Sequence, residues 1–396
     1  CIRQPAVVAG VNLVSSVATA GFLFELVRQT SANGVFRQGI FLVDELSAIF
    51  IIIAGVLTLT STLFSFFYMK QELKMGHISE KMIYRYYVLL QFFVLTMIFT
   101  LVVENMGMLW VAVEATTLIS ALLVAYYSNR SSIEAAWKYV MVCSVGIAMA
   151  LLGTMLLYYA QVQAGSLDVQ PLSWVEMRLD GARFDPGLVR LAVVFIIIGY
   201  GTKAGLAPMH TWLPDAHSQA PTPVSGLLSG ALLSCAMYAI ARNMAIINML
   251  PEVGDFAAKL LTGFGLFSIA IAVPFLLVQH DIKRLLAYSS VEHMGIVALG
   301  IGCGTPLGLY GALLHLLNHA VGKSGLFYLS GILIQQYRTK QILRIRGILI
   351  ATPVLGGLFF ALVMAVSGMP PFGLFLSKFV IFQAMFAKGS VLAGAV

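Results

Sequence analysis

The feature that most constrains this chain is a succession of about eleven long apolar runs joined by short polar segments. They lie near 5–28, 40–68, 83–103, 105–128, 134–160, 189–217, 221–247, 256–278, 284–302, 306–336 and 348–390. A run of about twenty apolar residues crosses the hydrocarbon layer as a helix. Lipid cannot satisfy a backbone that is neither helical nor closed into a barrel. Alternating strands with turn signals are missing, which argues against a barrel. The fold class expected is therefore all-α and polytopic. Composition agrees: 10% of residues are charged and 59% hydrophobic, whereas soluble domains carry about 25% charged residues.

The net charge of +7 raises the question of a nucleic-acid partner. The basic residues sit mostly in short joints and form no patch interleaved with aromatics, so that class is rejected. Lys and Arg in joints set membrane orientation instead. Alternate joints collect twelve Lys/Arg, among them Lys70, Lys81, Arg130, Lys283 and Arg338, against seven on the opposite side, among them Arg37, Arg178, Arg242 and Lys259. The richer side is expected to be cytoplasmic, with residue 1 on it. Cys1, Cys143, Cys235 and Cys303 form no CxxC pair, so no iron–sulfur, zinc or disulfide framework is read, and the last three are expected to be small packing residues. No cleavable signal peptide is read. The chain begins at Cys1 and ends inside an apolar run at Val396; both ends are expected to be incomplete. The polar stretch 161–188, with Asp168, Glu176, Arg178, Asp180, Arg183 and Asp185, reads as a loop.

A charge in hydrocarbon costs at least about 2.5–3.5 kcal/mol on insertion scales, which makes each buried ionisable group a functional candidate. Glu114 lies roughly 14 Å into its span at ~1.5 Å per residue. A carboxylate that only tethers a neighbouring helix is the bland alternative, and a neutral polar residue would do that more cheaply. Lys203 lies roughly 21 Å into its span, counted the same way, just before Pro208, which withholds a backbone donor and is expected to break the helix. Such a break at depth implies a hydrated cavity beside the lysine. Snorkelling to an interface is the alternative, and central depth argues against it. His315, His319 and Lys323 are spaced by four, so they share one helix face, with Asn318 alongside. The stripe reads as a proton wire; a metal site is the weaker reading, because no carboxylate or third histidine is near in sequence. Glu292 and His293 add two groups near mid-depth. Lys378 follows Gly368, Pro370, Pro371 and Gly373, which interrupt the last run. His210 and His217 flank an expected loop, where they line a path or cap the broken helix. Two interrupted spans, each with one lysine near the break, point to a transport site in an inverted-repeat transporter. Residues 1–82 would be N-terminal helices, 83–247 the first repeat and 256–396 the second, incomplete repeat.

The segments KAGLAPMHTWLPDAHSQAPTPVSGLLSG (203–230), HDIKRLLAYSSVEHMG (280–295) and GMPPFGLFLSKF (368–379) resemble the antiporter-like subunits of respiratory complex I, Mrp sodium/proton antiporters and membrane-bound hydrogenases. Stretches 278–300 and 312–331 most resemble component F of hydrogenase-4. The resemblance implies a fourteen-helix fold with two inverted five-helix repeats and broken seventh and twelfth helices. About eleven of those helices are covered here. It places the family's fifth-helix glutamate on Glu114, its seventh-helix lysine on Lys203, its eleventh-helix histidine on His319 and its twelfth-helix lysine or glutamate on Lys378. Many members carry a lysine or histidine in the eighth helix where this chain has Ser234, which puts the central step in doubt. The function implied is a proton-translocating inner-membrane subunit of a redox-driven complex, with no cofactor or redox centre of its own and other membrane subunits as partners. In that reading Glu114 stabilises Lys203 as a cation, and separating the two releases the proton. The alternatives are a transporter subunit linked to sodium or bicarbonate, or a non-pumping scaffold of the complex.

Overall fold

The computed structural model describes residues 5–165 and 171–389; Cys1 and Asp168 lie outside them. The helices run α1 Pro5–Asn33, α2 Glu45–Lys74, α3 Glu80–Val102, α4 Met106–Val124, α5 Arg130–Gln163, α6 Trp174–Asp180, α7 Pro186–Ala204, α8 Trp212–Gln219, α9 Thr222–Leu227, α10 Leu233–Ile247, α11 Pro251–Val278, α12 Ile282–Gly302, α13 Pro306–Tyr337, α14 Ile348–Ala351, α15 Pro353–Ser367 and α16 Gly373–Ala387. The π-helical turn Leu228–Leu232 joins α9 to α10 into one span. Among the described residues, nine helical segments are long and apolar enough to cross a membrane. α13, at 32 residues, is long enough but carries His315, His319, Asn318 and Lys323, and α15–α16 is split.

The spans start where side chains can satisfy the first free N–H groups of a helix. Asp44 accepts from the Ser47 N–H at 2.9 Å, Asn105 from Met108 at 3.0 Å and Asp185 from Leu188 at 2.8 Å. Asn129 and Ser132 form a reciprocal capping box at the head of α5. Asp281 caps α12 through the N–H groups of Lys283 and Arg284.

Several expectations shift. Residues 40–44 are not yet helix: β1 Phe36–Gln38 pairs antiparallel with β2 Phe41–Val43 around Gly39, whose φ of 59° makes the turn, and Asp44 then starts α2. The polar stretch 161–188 is not simply a loop, since Ser173 caps the short helix α6. The last run is not one span. Thr352 separates α14 from α15, and residues 368–372 separate α15 from α16. Arg242 is not in a joint; it is buried on α10, and its guanidinium meets Asp44 at 2.6 Å through both Nη atoms. Lys283 is likewise buried, on α12. Removing these two cations leaves the count at eleven against six, so the charge bias keeps its sign.

The joints segregate to two ends. One end gathers the β hairpin, α6 and the start of α13 around a cleft of about 940 Å³. The other gathers the α2–α3, α4–α5 and α8–α9 joints with the end of α13 around a cleft of about 600 Å³. α5 packs along α7 through small residues: a Cβ placed on Gly199 would stand 2.5 Å from the Ala150 nitrogen, and one on Gly153 would stand 2.6 Å from Ile196.

Candidate functional site

The two helix breaks share one design. α7 ends at Gly205 (φ 80°), whose N–H and that of Leu206 return to the carbonyls of Thr202 and Gly201. α15 ends at Gly368 (φ 83°), with the N–H groups of Gly368 and Met369 returning to Ala365 and Met364. This is the left-handed glycine stop that seals a helix C-terminus. A proline follows three residues later in both, Pro208 and Pro371. Groups freed at the first break find protein partners: the Trp212 indole donates to Thr202 O at 2.9 Å and the Ala207 N–H to Ser268 Oγ at 2.9 Å. The hydrated cavity expected from an unsatisfied break is thus not required, because α11 and Trp212 do that work.

Lys203 is fully buried in the last turn of α7 and reaches no interface. Its ammonium donates to Thr117 Oγ1 at 2.8 Å and to Tyr139 Oη at 2.6 Å. It also sits 4.8 Å from the Tyr139 ring centre, a cation–π distance. Ser120 Oγ is 2.7 Å from the Tyr139 hydroxyl and donates to Thr116 O, so the donors run outward from the lysine. Glu114, on α4, makes no ion pair with Lys203. Its Oε1 accepts from Ser144 Oγ at 2.7 Å, and its buried Oε2 has no hydrogen-bond partner. The direct carboxylate–lysine pair expected here is replaced by a hydroxyl cradle. A carboxylate–lysine contact forms beside the second break instead, where Lys378 Nζ lies 3.6 Å from Glu292 Oε1 and 3.4 Å from Ser367 O.

The stripe of α13 faces inward, with His315, His319 and Lys323 all fully buried. His293 joins it from α12: its Nδ1 lies 2.8 Å from His315 Nε2, and its ring centre lies 5.0 Å from that of His319. His315 Nδ1 is 2.9 Å from Ser377 Oγ, one residue before Lys378. Neither ring nitrogen of His319 has a hydrogen-bond partner. Lys323 Nζ donates to Leu286 O at 3.0 Å. The third histidine that sequence distance hid is therefore present, yet among the described residues no His, Cys, Asp and Glu set is arranged to hold a metal. Asn318 bonds back to Leu314 O.

His217, fully buried on α8, stacks on Phe327 with ring centres 5.1 Å apart and lies within electrostatic reach of Lys283 and Lys323. His210 sits in the single turn Met209–Thr211 between the break and α8, 6.2 Å from the Tyr288 ring. Ser234 donates to Gly230 O at 2.6 Å inside the π turn, so its hydroxyl closes a local bond. Cys143, Cys235 and Cys303 are free and buried.

Sequence reasoning missed Thr117, Tyr139, Ser144 and Ser377. Thr117 was legible, since it lies three residues after Glu114 and shares its helix face. The others come from different helices and carry no local signal.

Residues 103–396 match the family model described as NADH:quinone oxidoreductase/Mrp antiporter, TM. The chain belongs to this family. It is 39% identical over 383 residues to the hydrogenase-4 component F homolog of Methylacidiphilum infernorum (isolate V4), covering 96% of this chain and 79% of that one. It is 28% identical to hydrogenase-4 component B of Escherichia coli (strain K12), covering 89% and 52%, and 33% identical to NADH-quinone oxidoreductase subunit N of Desulforudis audaxviator (strain MP104C), covering 68% and 52%. The chain spans about half the length of these last two relatives. In fold it is similar to a chain of the membrane-bound sulfane sulfur reductase, an archaeal respiratory membrane complex (TM-score 0.88, 23% identity, 98% of this chain and 78% of that one). It is similar also to a chain of the Mrp complex from Dietzia sp. DQ12-45-1b (TM-score 0.84, 21% identity, 99% and 72%). The antiporter-like, all-helical membrane fold is that of this family.

Proposed function

We propose that this chain is the proton-translocating, antiporter-like subunit of a redox-driven complex of membrane-bound hydrogenase or NADH:quinone oxidoreductase type, set in the inner membrane among other membrane subunits. The observation that carries this reading is Lys203. It is an ammonium fully buried beside a helix break, held only by hydroxyls and a ring. A cation so placed can lose its proton without breaking an ion pair, and its balance turns on whether the nearby Glu114 carboxylate approaches.

The two halves, 83–247 and 256–396, supply matching parts. Each has a carboxylate on its second helix, Glu114 and Glu292, and a lysine beside a glycine-stopped break, Lys203 before its stop on α7 and Lys378 after its stop on α16. His217, His319, His293 and His315 are buried in the same interior. His210 lines the break itself, and Lys323 presents a second buried ammonium. Protons move along such a row by successive donor and acceptor exchanges, which imidazoles support because each ring has one nitrogen of either kind. Ser234 leaves the eighth-helix step without a base. Lys323 on α13 and His217 on α8, both fully buried, offer nitrogen where α10 does not.

A sodium-coupled reading is favoured by one relative, an Na(+)/H(+) antiporter component of Alkalihalophilus pseudofirmus (strain ATCC BAA-2126 / JCM 17055 / OF4), 30% identical over 87% of this chain and 42% of that one. Against it, the buried row is made of nitrogen bases, and hard cations prefer oxygen ligands. The test is Lys203→Ala in the assembled complex in sealed vesicles. Redox-driven proton pumping is expected to be lost with assembly largely intact. Undiminished pumping in well-assembled vesicles overturns the proposal.

A further inference from the structure

The buried row needs a supply of protons from one face, and the cleft at the α2–α3 end carries a group no step above uses. Glu72 lies in the last turn of α2 and is 4% exposed. Its Oε1 accepts from Gln335 Nε2 at 2.7 Å, and its Oε2 accepts from the Tyr127 hydroxyl at 3.2 Å. His77 Nδ1 also lies 3.2 Å from Oε2, and the His77 side chain is 57% exposed. A buried carboxylate thus touches an imidazole that stands in water. A packing role alone would not place a carboxylate here, since Gln in its place could bond Gln335 without a desolvated charge.

From Glu72 the polar contacts continue inward. Tyr127 Oη lies 3.4 Å from Tyr68 Oη, and Thr222 donates to Tyr68 Oη at 3.4 Å. Thr222 opens α9 at the α8–α9 bend, where Lys283 Nζ donates to Ala220 O at 2.6 Å. His217 is on the same bend and lies within electrostatic reach of Lys283, and His319 lies within reach of His217. The hydrogen-bonded run from Glu72 ends at Thr222 on this bend, and beyond it the ring nitrogens of His217 and His319 have no hydrogen-bond partner.

Resting on the proton-translocation reading above, we infer that the His77–Glu72 pair is the proton-uptake site of this subunit, feeding the buried histidine row through Tyr127, Tyr68 and Thr222. Water protonates the His77 ring, Nδ1 gives the proton to Glu72 Oε2, and the ring returns to neutral. The carboxylic acid then gives its proton to Tyr127 as Tyr127 gives its own to Tyr68, Tyr68 its own to Thr222 and Thr222 its own to an unpartnered ring nitrogen of His217, so each hydroxyl ends neutral and the imidazole carries the proton. The Tyr127 and Thr222 hydroxyls point outward here, the orientation left after such a passage, and bond rotation resets it. Lys283, Arg338 and Lys340 line the same cleft, and their field offsets the negative charge left on Glu72 between passages.

The experiment compares Glu72→Gln, Glu72→Asp and Tyr127→Phe in the assembled complex in sealed vesicles, with Lys203→Ala alongside. Glu72→Gln and Tyr127→Phe are each expected to slow redox-driven pumping about tenfold, the rate equivalent of one lost hydrogen bond. The deficit should deepen as the medium on the uptake side becomes alkaline, and Glu72→Asp should recover most of the rate. Glu72 also ties α2 to α13; if Glu72→Gln does not assemble, Tyr127→Phe decides alone, because it removes only a hydroxyl. Wild-type pumping by assembled Tyr127→Phe at neutral and alkaline pH overturns the uptake site. If Lys203→Ala then fails to pump in the same vesicles, the parent reading stands while the uptake site falls; if Lys203→Ala pumps normally, the parent reading falls.

Discussion

Lys203 and Lys378 occupy opposite electrostatic situations. Lys378 faces a carboxylate at 3.6 Å, with both side chains about one-fifth exposed, whereas Lys203 has only neutral oxygens within hydrogen-bond range. An ammonium beside a carboxylate is harder to deprotonate than one in a hydroxyl cradle. The two lysines thus differ in their partners, one meeting a carboxylate and the other only neutral oxygens. A double-mutant cycle on assembly yield, with Glu292→Gln and Lys378→Met, should give a coupling of roughly 0.5–3 kcal/mol, the range for contacting residues. The parallel cycle with Glu114→Gln and Lys203→Met should give a smaller value, because Ser144 and Tyr139 stand in for the missing contact. Equal couplings would show that Glu114 and Lys203 sense each other as strongly as a bonded pair. At this scale the sequence was legible through cost: Lys203 and Lys323 declared themselves by sitting in apolar runs, whereas the buried charges of Glu72, Arg242 and Lys283, close to the ends of their helices, did not. What surrounds each charge was not, because Tyr139, Ser144 and Ser377 come from helices whose rotation no local pattern reports.

Helix existence was legible almost throughout, since twenty apolar residues in lipid have few alternatives. Boundaries moved wherever a polar side chain captured free N–H groups, as Asp44 does in delaying α2 behind the hairpin and Ser173 does in nucleating α6. The packing of α5 on α7 depends on absent side chains. Gly199→Val would push a methyl into the Ala150 backbone, 2.5 Å from its nitrogen, and should destabilise the protein by about 1–3 kcal/mol, as overpacking does. Gly10→Ala, where a Cβ meets nothing within 4 Å, is the control and should leave thermal stability in detergent unchanged or slightly raised. A Gly199→Val variant as stable as wild type would mean that α5 and α7 can separate freely, and the position of Lys203 against Tyr139 would then not be fixed by their contact.

Among the described residues the joints fall at two ends, one carrying eleven cations and the other seven once Arg242 and Lys283 are set aside and Lys388, which donates to Cys303 O, is added. With single cysteines placed at Glu80 and at Arg183, both exposed, in a background lacking the native thiols, an impermeant label added to intact cells should reach position 183 and spare position 80. The reverse pattern would invert the topology. The seven-against-eleven bias was readable because charge density at joints is a sum over many residues and tolerates a few misplaced ones. α2 is anchored at both ends. Asp44 at its head is gripped by Arg242 of α10, where burial works to raise the carboxyl's pKa yet the guanidinium outweighs it and holds it below the ordinary range. Glu72 at its foot is gripped by Gln335 of α13. α10 lies within 83–247 and α13 within 256–396, so under the proposed division α2 acts as a tie-rod between the halves. A machine braced in this way cannot swing one half against the other like a rocker without snapping a buried bond at one end of the rod. Its moving parts are confined to what the rod leaves loose: ring flips, lysine swings and the two glycine-stopped joints.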